Sequence, residues 1–123
     1  MSRRILVIED EALFREQLVE YLSLVFPDLS IDQASTLAEA YDLCQRHLYH
    51  LIISDCVLPD GNACDLLRTS CTRVPVIVLT GYVQPELFAR VLEQRSAPLE
   101  VLYKPVSLEK IRTLVERYLA RNP

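Results

Sequence analysis

Short apolar runs rich in β-branched residues alternate along this chain with longer segments in which apolar residues recur every three or four positions. The runs are Arg4–Glu9 (RILVIE), Leu29–Ala34 (LSIDQA), His50–Asp55 (HLIISD), Val74–Thr80 (VPVIVLT) and Leu99–Leu102 (LEVL). Nearly unbroken apolar runs of this length suit strands covered on both faces. Their alternation with helical spacing predicts βαβ units around a parallel sheet.

The intervening segments read as five helices. The first should run from about Ala12 to Phe26, with Leu13, Leu18, Leu22 and Val25 on one stripe and Phe26-Pro27-Asp28 as its stop. The second opens on Thr36-Leu37-Ala38-Glu39, a capping-box pattern, and places Leu37, Ala40, Tyr41 and Cys44 on one face. A short third helix begins near Asn62. A fourth lies between Pro85 and about Gln94. The fifth follows Ser107 and packs through Leu108, Ile111, Val115 and Leu119. Five strands and five helices make an α/β, doubly wound, three-layer sandwich with a five-stranded parallel sheet.

In an open sheet of this kind, ligands sit outside the carboxyl ends of the strands. The first run ends in Glu9-Asp10, the third in Asp55, the fourth in Thr80-Gly81, and Lys104-Pro105 follows the fifth. Three carboxylates, a hydroxyl and an ammonium, distant in sequence, should therefore share one rim. Like charges there repel: at ~4 Å and an effective dielectric of 20, each carboxylate pair costs about 4 kcal/mol. A hard divalent cation such as Mg²⁺ offsets that and leaves coordination positions open to phosphate. A lysine and a hydroxyl suit the remaining phosphoryl oxygens, and a carboxylate can itself be the nucleophile.

Composition narrows the rest. One domain fits 123 residues, and a formal charge of −4 is poor for binding nucleic acid. There is no signal-peptide core and no apolar run long enough to span a bilayer, so a cytoplasmic protein is expected. Cys44, Cys56, Cys64 and Cys71 match no zinc spacing and are expected to be reduced, some as small core residues. A thiol at Cys56, beside the acids, should have a raised pKa. His47 and His50 read as surface residues.

The ordered set Glu9-Asp10, Asp55, Pro59 with Gly61, Thr80 and Lys104-Pro105 resembles the receiver domain of two-component response regulators, over the whole chain. The resemblance implies one receiver domain over residues 1–123, with a flavodoxin-like (βα)5 sheet of order 2-1-3-4-5. By it, Asp55 accepts a phosphoryl group from a phosphohistidine, and Asp10, Asp55 and the main-chain carbonyl of Val57 bind Mg²⁺, with Glu9 acting through a water. Lys104 pairs with the phosphoryl oxygens, Thr80 moves toward them, Gly81 allows close approach, and the Lys104–Pro105 bond is cis.

Implied partners are a sensor histidine kinase or phosphotransfer protein and an output domain or downstream protein. The domain itself should contact neither nucleic acid nor membrane. A homodimer face is expected on the fourth helix, fifth strand and fifth helix, from Leu87, Phe88, Val91, Leu92, Leu114 and Tyr118; a wider core contact is the alternative for the same residues. Chemistry is expected to be limited to the chain's own phosphorylation and dephosphorylation. The end at Arg121-Asn122-Pro123 falls where a linker would begin, so an N-terminal piece of a longer regulator is expected, with a stand-alone receiver as the alternative.

One position departs from the pattern. Val101 stands three residues before Lys104, where receivers often carry an aromatic residue, and Tyr103 should point away from Leu102 to the other face. Val57 and Tyr82 should overlook the phosphoryl site and lengthen the phosphorylated lifetime relative to Tyr82→Ala. Alternative readings are a docking module that is not phosphorylated, or an aspartyl phosphohydrolase. The latter usually has a second aspartate where Val57 stands. A nucleotide or flavin binder is disfavoured by the scarcity of glycine and the absence of G-x-G-x-x-G.

Overall fold

The structure, a computed structural model, describes residues 3–81 and 97–121. Five strands, β1 (Arg4–Ile8), β2 (Ser30–Ala34), β3 (Leu51–Asp55), β4 (Val76–Thr80) and β5 (Leu99–Tyr103), form one sheet in the order 2-1-3-4-5. Every neighbouring pair is parallel. Between them lie α1 (Ala12–Val25), α2 (Leu37–Arg46) and α3 (Ala63–Thr69), and the C-terminal helix covers Leu108–Arg121. The helix expected between Pro85 and Gln94 lies outside the described residues, as do Tyr82 and the four apolar side chains assigned to that helix.

Alternation along the strands splits the core into two layers. Leu6, Ile8, Ile52, Val76 and Val78 face α2 and α3. Ile5, Val7, Leu51, Ile53, Ile77 and Leu79 face α1 and the C-terminal helix. All of these side chains are buried, which is why β1, β3 and β4 read as continuous apolar runs. Each contributes about 1.5–3 kcal/mol by burial. The edge strands are more mixed, because each has a neighbour on one side only.

The helix boundaries follow from local chemistry. Thr36 Oγ1 accepts the Glu39 N–H and starts α2, and Asn62 Oδ1 accepts the Cys64 N–H and starts α3. Ser107 Oγ accepts the Lys110 N–H at the start of the C-terminal helix. Leu114 and Tyr118 are buried in the core beside Ile111, Val115 and Leu119. They therefore belong to the wider core contact and not to a partner face.

Four expectations need correction. Leu13 is 64% exposed while Phe14 packs inward, so the buried stripe of α1 is rotated by one position in its first turn. Tyr41 is 51% exposed, and Leu43 takes its place against the core. Cys44 and Cys71 are not separate thiols: their sulfurs are joined in a disulfide, with Cα atoms 6.3 Å apart. Sequence spacing carried no sign of this, because it is the fold that sets the ends of α2 and α3 side by side. Cys56 and Cys64 lie outside the disulfide, and both are buried in the core. His50 is also more than a surface residue: its Nδ1 accepts the backbone N–H of Arg4 at 3.1 Å. No described helix is long and apolar enough to cross a membrane.

Candidate functional site

The carboxyl ends of β1, β3, β4 and β5 meet at one rim, set by the sheet register. Ile8 lies opposite Ser54, Asp55 opposite Leu79, and Thr80 opposite Tyr103. The residues that follow these positions are therefore neighbours whatever their distance in sequence. Glu9, Asp10 and Asp55 each place a carboxylate oxygen within 4.8 Å of the other two. Among the described residues this is the one group of His, Cys, Asp or Glu side chains arranged to hold a metal ion.

Lys104 closes the cluster. Its Nζ donates to Glu9 Oε1 at 3.3 Å and Oε2 at 3.4 Å, and to Asp55 Oδ2 at 3.3 Å. The backbone N–H of Lys104 donates to the Thr80 carbonyl, which ties β5 to the end of β4. The Lys104–Pro105 bond is cis. The ammonium also sits 5.5 Å from the centroid of the Phe14 ring. That contact gives the half-buried cation a further favourable neighbour. Beside it an apolar groove of about 550 Å³ runs between α1 and the C-terminal helix, lined by Phe14, Lys104, Pro105, Val106 and Leu108, among others.

The electrostatics follow from the count: three carboxylates against one ammonium. Burial, then the charge of Asp55, pushes the Glu9 carboxyl above its ordinary range, and Lys104 offsets only part of this. Burial alone would lower the Lys104 ammonium, but Glu9 and Asp55 together outweigh it and hold it above its usual value. The lysine is thus firmly charged, while Glu9 is held in an environment that disfavours its anion. Hard oxygen donors with surplus negative charge fit Mg²⁺.

The remaining residues singled out from sequence fall as follows. Thr80 is buried at the end of β4, on the strand next to Asp55. Among the described residues, nothing lies within 4 Å of where a Gly81 side chain would begin. Val57 opens a short hairpin with Gly61–Asn62, directly after β3, and is 49% exposed. Gly61 does need to be glycine: its φ is +145°, and an added Cβ would lie 3.0 Å from Leu37 Cδ1. Val101 packs against the α2–α3 layer, Leu102 is buried and Tyr103 is 53% exposed, so the two neighbours point oppositely, as expected. Cys56 is buried, and burial first, with Asp55 adding to it, raises its thiol; contacts with Thr80, Asn62 and Cys64 offset part of the shift.

Sequence reasoning did not single out three contributors. Phe14 lies under Lys104 from the first turn of α1, just after the acidic pair, a phase obscured by Leu13. The Arg15 guanidinium donates to the Glu9 carbonyl at 2.7 Å and fixes the peptide between the two acidic residues. Asp60, in the turn after Asp55, accepts the N–H groups of Leu37 and Ala38 at 2.8 and 3.0 Å. It thereby anchors the start of α2 to the loop after β3, and only the fold brings these segments together.

Comparison with known proteins agrees with this geometry. The family model for the response regulator receiver domain matches residues 5–116. The response regulator protein PilR of Pseudomonas aeruginosa is 33% identical over 128 residues, covering 100% of this chain and 28% of its own. The transcriptional regulatory protein PdtaR of Mycobacterium tuberculosis is 29% identical over 123 residues, covering 98% of this chain and 58% of its own. The chain thus spans little more than half of one relative and under a third of the other. A CheY-like receiver domain from Methanospirillum hungatei superposes with a TM-score of 0.87 at 21% identity, over 98% of this chain and 96% of that one. At that identity the superposition speaks for the fold, and the family match carries the assignment. With all but four residues at one end and seven at the other inside the matched region, the chain belongs to the response regulator receiver domain family of two-component systems.

Proposed function

We propose that the chain is a phosphoacceptor switch in which Asp55 takes a phosphoryl group from a phosphohistidine on a sensor kinase or phosphotransfer protein. The observation that carries this reading is Lys104 Nζ at 3.3 Å from both Glu9 and Asp55, a cation held beside a carboxylate that stands at an open rim. An Asp55 carboxylate oxygen attacks phosphorus, the phosphorus–nitrogen bond of the donor breaks, and its electron pair stays on the imidazole. Lys104 follows the new charge onto the phosphoryl oxygens. Asp10, Asp55 and the Val57 main-chain carbonyl would hold Mg²⁺, with Glu9 acting through a water, and the ion would supply charge neutralisation for the phosphoryl group.

Thr80, one strand over from the acceptor, then moves its hydroxyl from the vicinity of Cys56 toward the phosphoryl oxygens and carries the following loop with it. With Val101 in place of an aromatic residue, this movement proceeds without an aromatic flip, and a large inward swing of Tyr103 in a phosphoryl-mimic complex would contradict it. The chain acts on itself only, through its own phosphorylation and hydrolysis. Its readout is a changed binding face for an output domain or downstream protein.

Incubation with a small acyl phosphate and Mg²⁺ tests the reading. Intact-mass analysis should show one added phosphoryl group in wild type and none in Asp55→Asn. Equal uptake in the variant, or no uptake in either, would overturn it.

A further inference from the structure

We propose that Cys44 and Cys71 form a reversible thiol–disulfide site that staples α2 to the end of α3. The pair links the last turn of α2 to the residue just beyond the C-cap of α3, across 27 residues of chain, with Cα atoms 6.3 Å apart. That separation is within the range disulfides span without backbone movement. Both residues are half-buried at the edge of the α2–α3 core layer, within reach of small thiols and disulfides. Cys56 and Cys64 belong to the same layer but are only 4% exposed each.

The backbone singles out Cys71. It directly follows Ser70, the C-cap of α3, and has φ of 52°. Glycine is the usual residue at that place, since a Cβ in the left-handed region costs energy. Among the described residues Cys71 is the one non-glycine with positive φ. A side chain retained where glycine would be easier indicates a use for that side chain, and the Cys44 sulfur is what it meets.

The staple completes a second tie. At its other end, α2 is already held by Asp60, whose carboxylate accepts the Leu37 and Ala38 N–H groups. With the disulfide closed, α2 is fastened at both ends to the segment that begins at Asp55 and runs through α3. With it open, only the Asp60 end is fastened.

Closure needs an oxidant, and a low-molecular-weight disulfide such as oxidised glutathione suffices. One cysteine thiolate attacks it, forming a mixed disulfide and releasing one reduced glutathione. The second thiolate then attacks the protein sulfur of that mixed disulfide, and a second reduced glutathione leaves. The two cysteines lose two protons and two electrons, which the two glutathione thiols carry. Excess reduced thiol drives the same steps backward.

The full chain is treated with oxidised glutathione, alkylated and mapped by mass spectrometry without reduction, and parallel samples are melted in oxidised and reduced form. A single Cys44–Cys71 link should form and disappear with reduced glutathione, with Cys56 and Cys64 alkylated only after unfolding. The oxidised form should melt about 10 °C above the reduced form. On reduction, the amide of His47, bonded to the Leu43 carbonyl, should exchange faster. Cys71→Gly suits the backbone and should match or exceed the melting point of reduced wild type, with no response to oxidant; Cys44→Ser should also lose the response. No link, a Cys56–Cys64 link instead, or a melting point indifferent to redox state in wild type would overturn the proposal.

Discussion

Two acidic sites on this sheet contain the same kinds of group and behave oppositely. At the β2 edge, Asp32 receives the Arg4 guanidinium at 2.8 Å and the Tyr49 hydroxyl at 2.7 Å. One anion meets one cation and one neutral donor. Burial alone would raise the Asp32 carboxyl, but Tyr49 and Arg4 together hold it below the usual range. At the carboxyl rim three carboxylates cluster, the Lys104 ammonium reaches only Glu9 and Asp55, and Glu9 is pushed up. The first site is balanced and serves the fold. The second carries surplus negative charge that folding alone does not require, and that surplus suits a divalent cation.

Removing the cation from each site separates the two roles most strongly. Lys104→Met leaves three carboxylates uncompensated and should destabilise the metal-free protein by about 2–4 kcal/mol in urea unfolding. Mg²⁺ should restore part of that loss, since it binds the folded state. Arg4→Met should show no Mg²⁺-dependent recovery. If Mg²⁺ rescued both or neither, the sites would not differ as described.

Next in size is Tyr49→Phe, which removes one hydrogen bond to a charged acceptor. Unfolding should become easier by about 1.5–3 kcal/mol, with phosphoryl uptake unchanged. The Tyr49 hydroxyl, raised by burial and by its bond to Asp32, also contributes stability that is lost as pH rises through its folded value. The phenylalanine variant should lack that alkaline loss.

The smallest effect is a pair of opposite slopes in acid. Glu9 binds its proton more tightly folded than unfolded, so its contribution to stability declines as pH rises from its ordinary value through its folded one. Asp32 binds its proton more weakly folded, so its contribution declines as pH falls through that window to its folded value. Glu9→Gln should steepen the net rise of stability with pH, and Asp32→Asn should flatten it. Melting curves of metal-free protein across the acid range would show this, and equal slopes in the two variants would contradict it.

Much of the rim was legible because it depends on strand ends. Once the apolar runs were placed, Glu9, Asp10, Asp55, Thr80 and Lys104 had to share an edge, and parallel register brought them there. What was not legible depends on the phase of helices and on loop packing. Leu13 and Phe14 are both apolar neighbours, and only the fit of α1 to the sheet decides which turns inward. Asp60 reads as an ordinary turn residue until the fold brings the start of α2 above it. Cys44 and Cys71 bear no motif, and their pairing exists only because two helix ends converge. Leu114 and Tyr118 looked like surplus surface because a stripe of every third or fourth residue understates the width of the face a helix buries against a twisted sheet.

Calorimetric titration with Mg²⁺ tests the central claim most directly. Wild type and Asp32→Asn should bind one ion with equal affinity, while Asp10→Asn and Asp55→Asn should each bind at least about tenfold more weakly. Unchanged affinity in the two rim variants, or a loss confined to Asp32→Asn, would contradict the account.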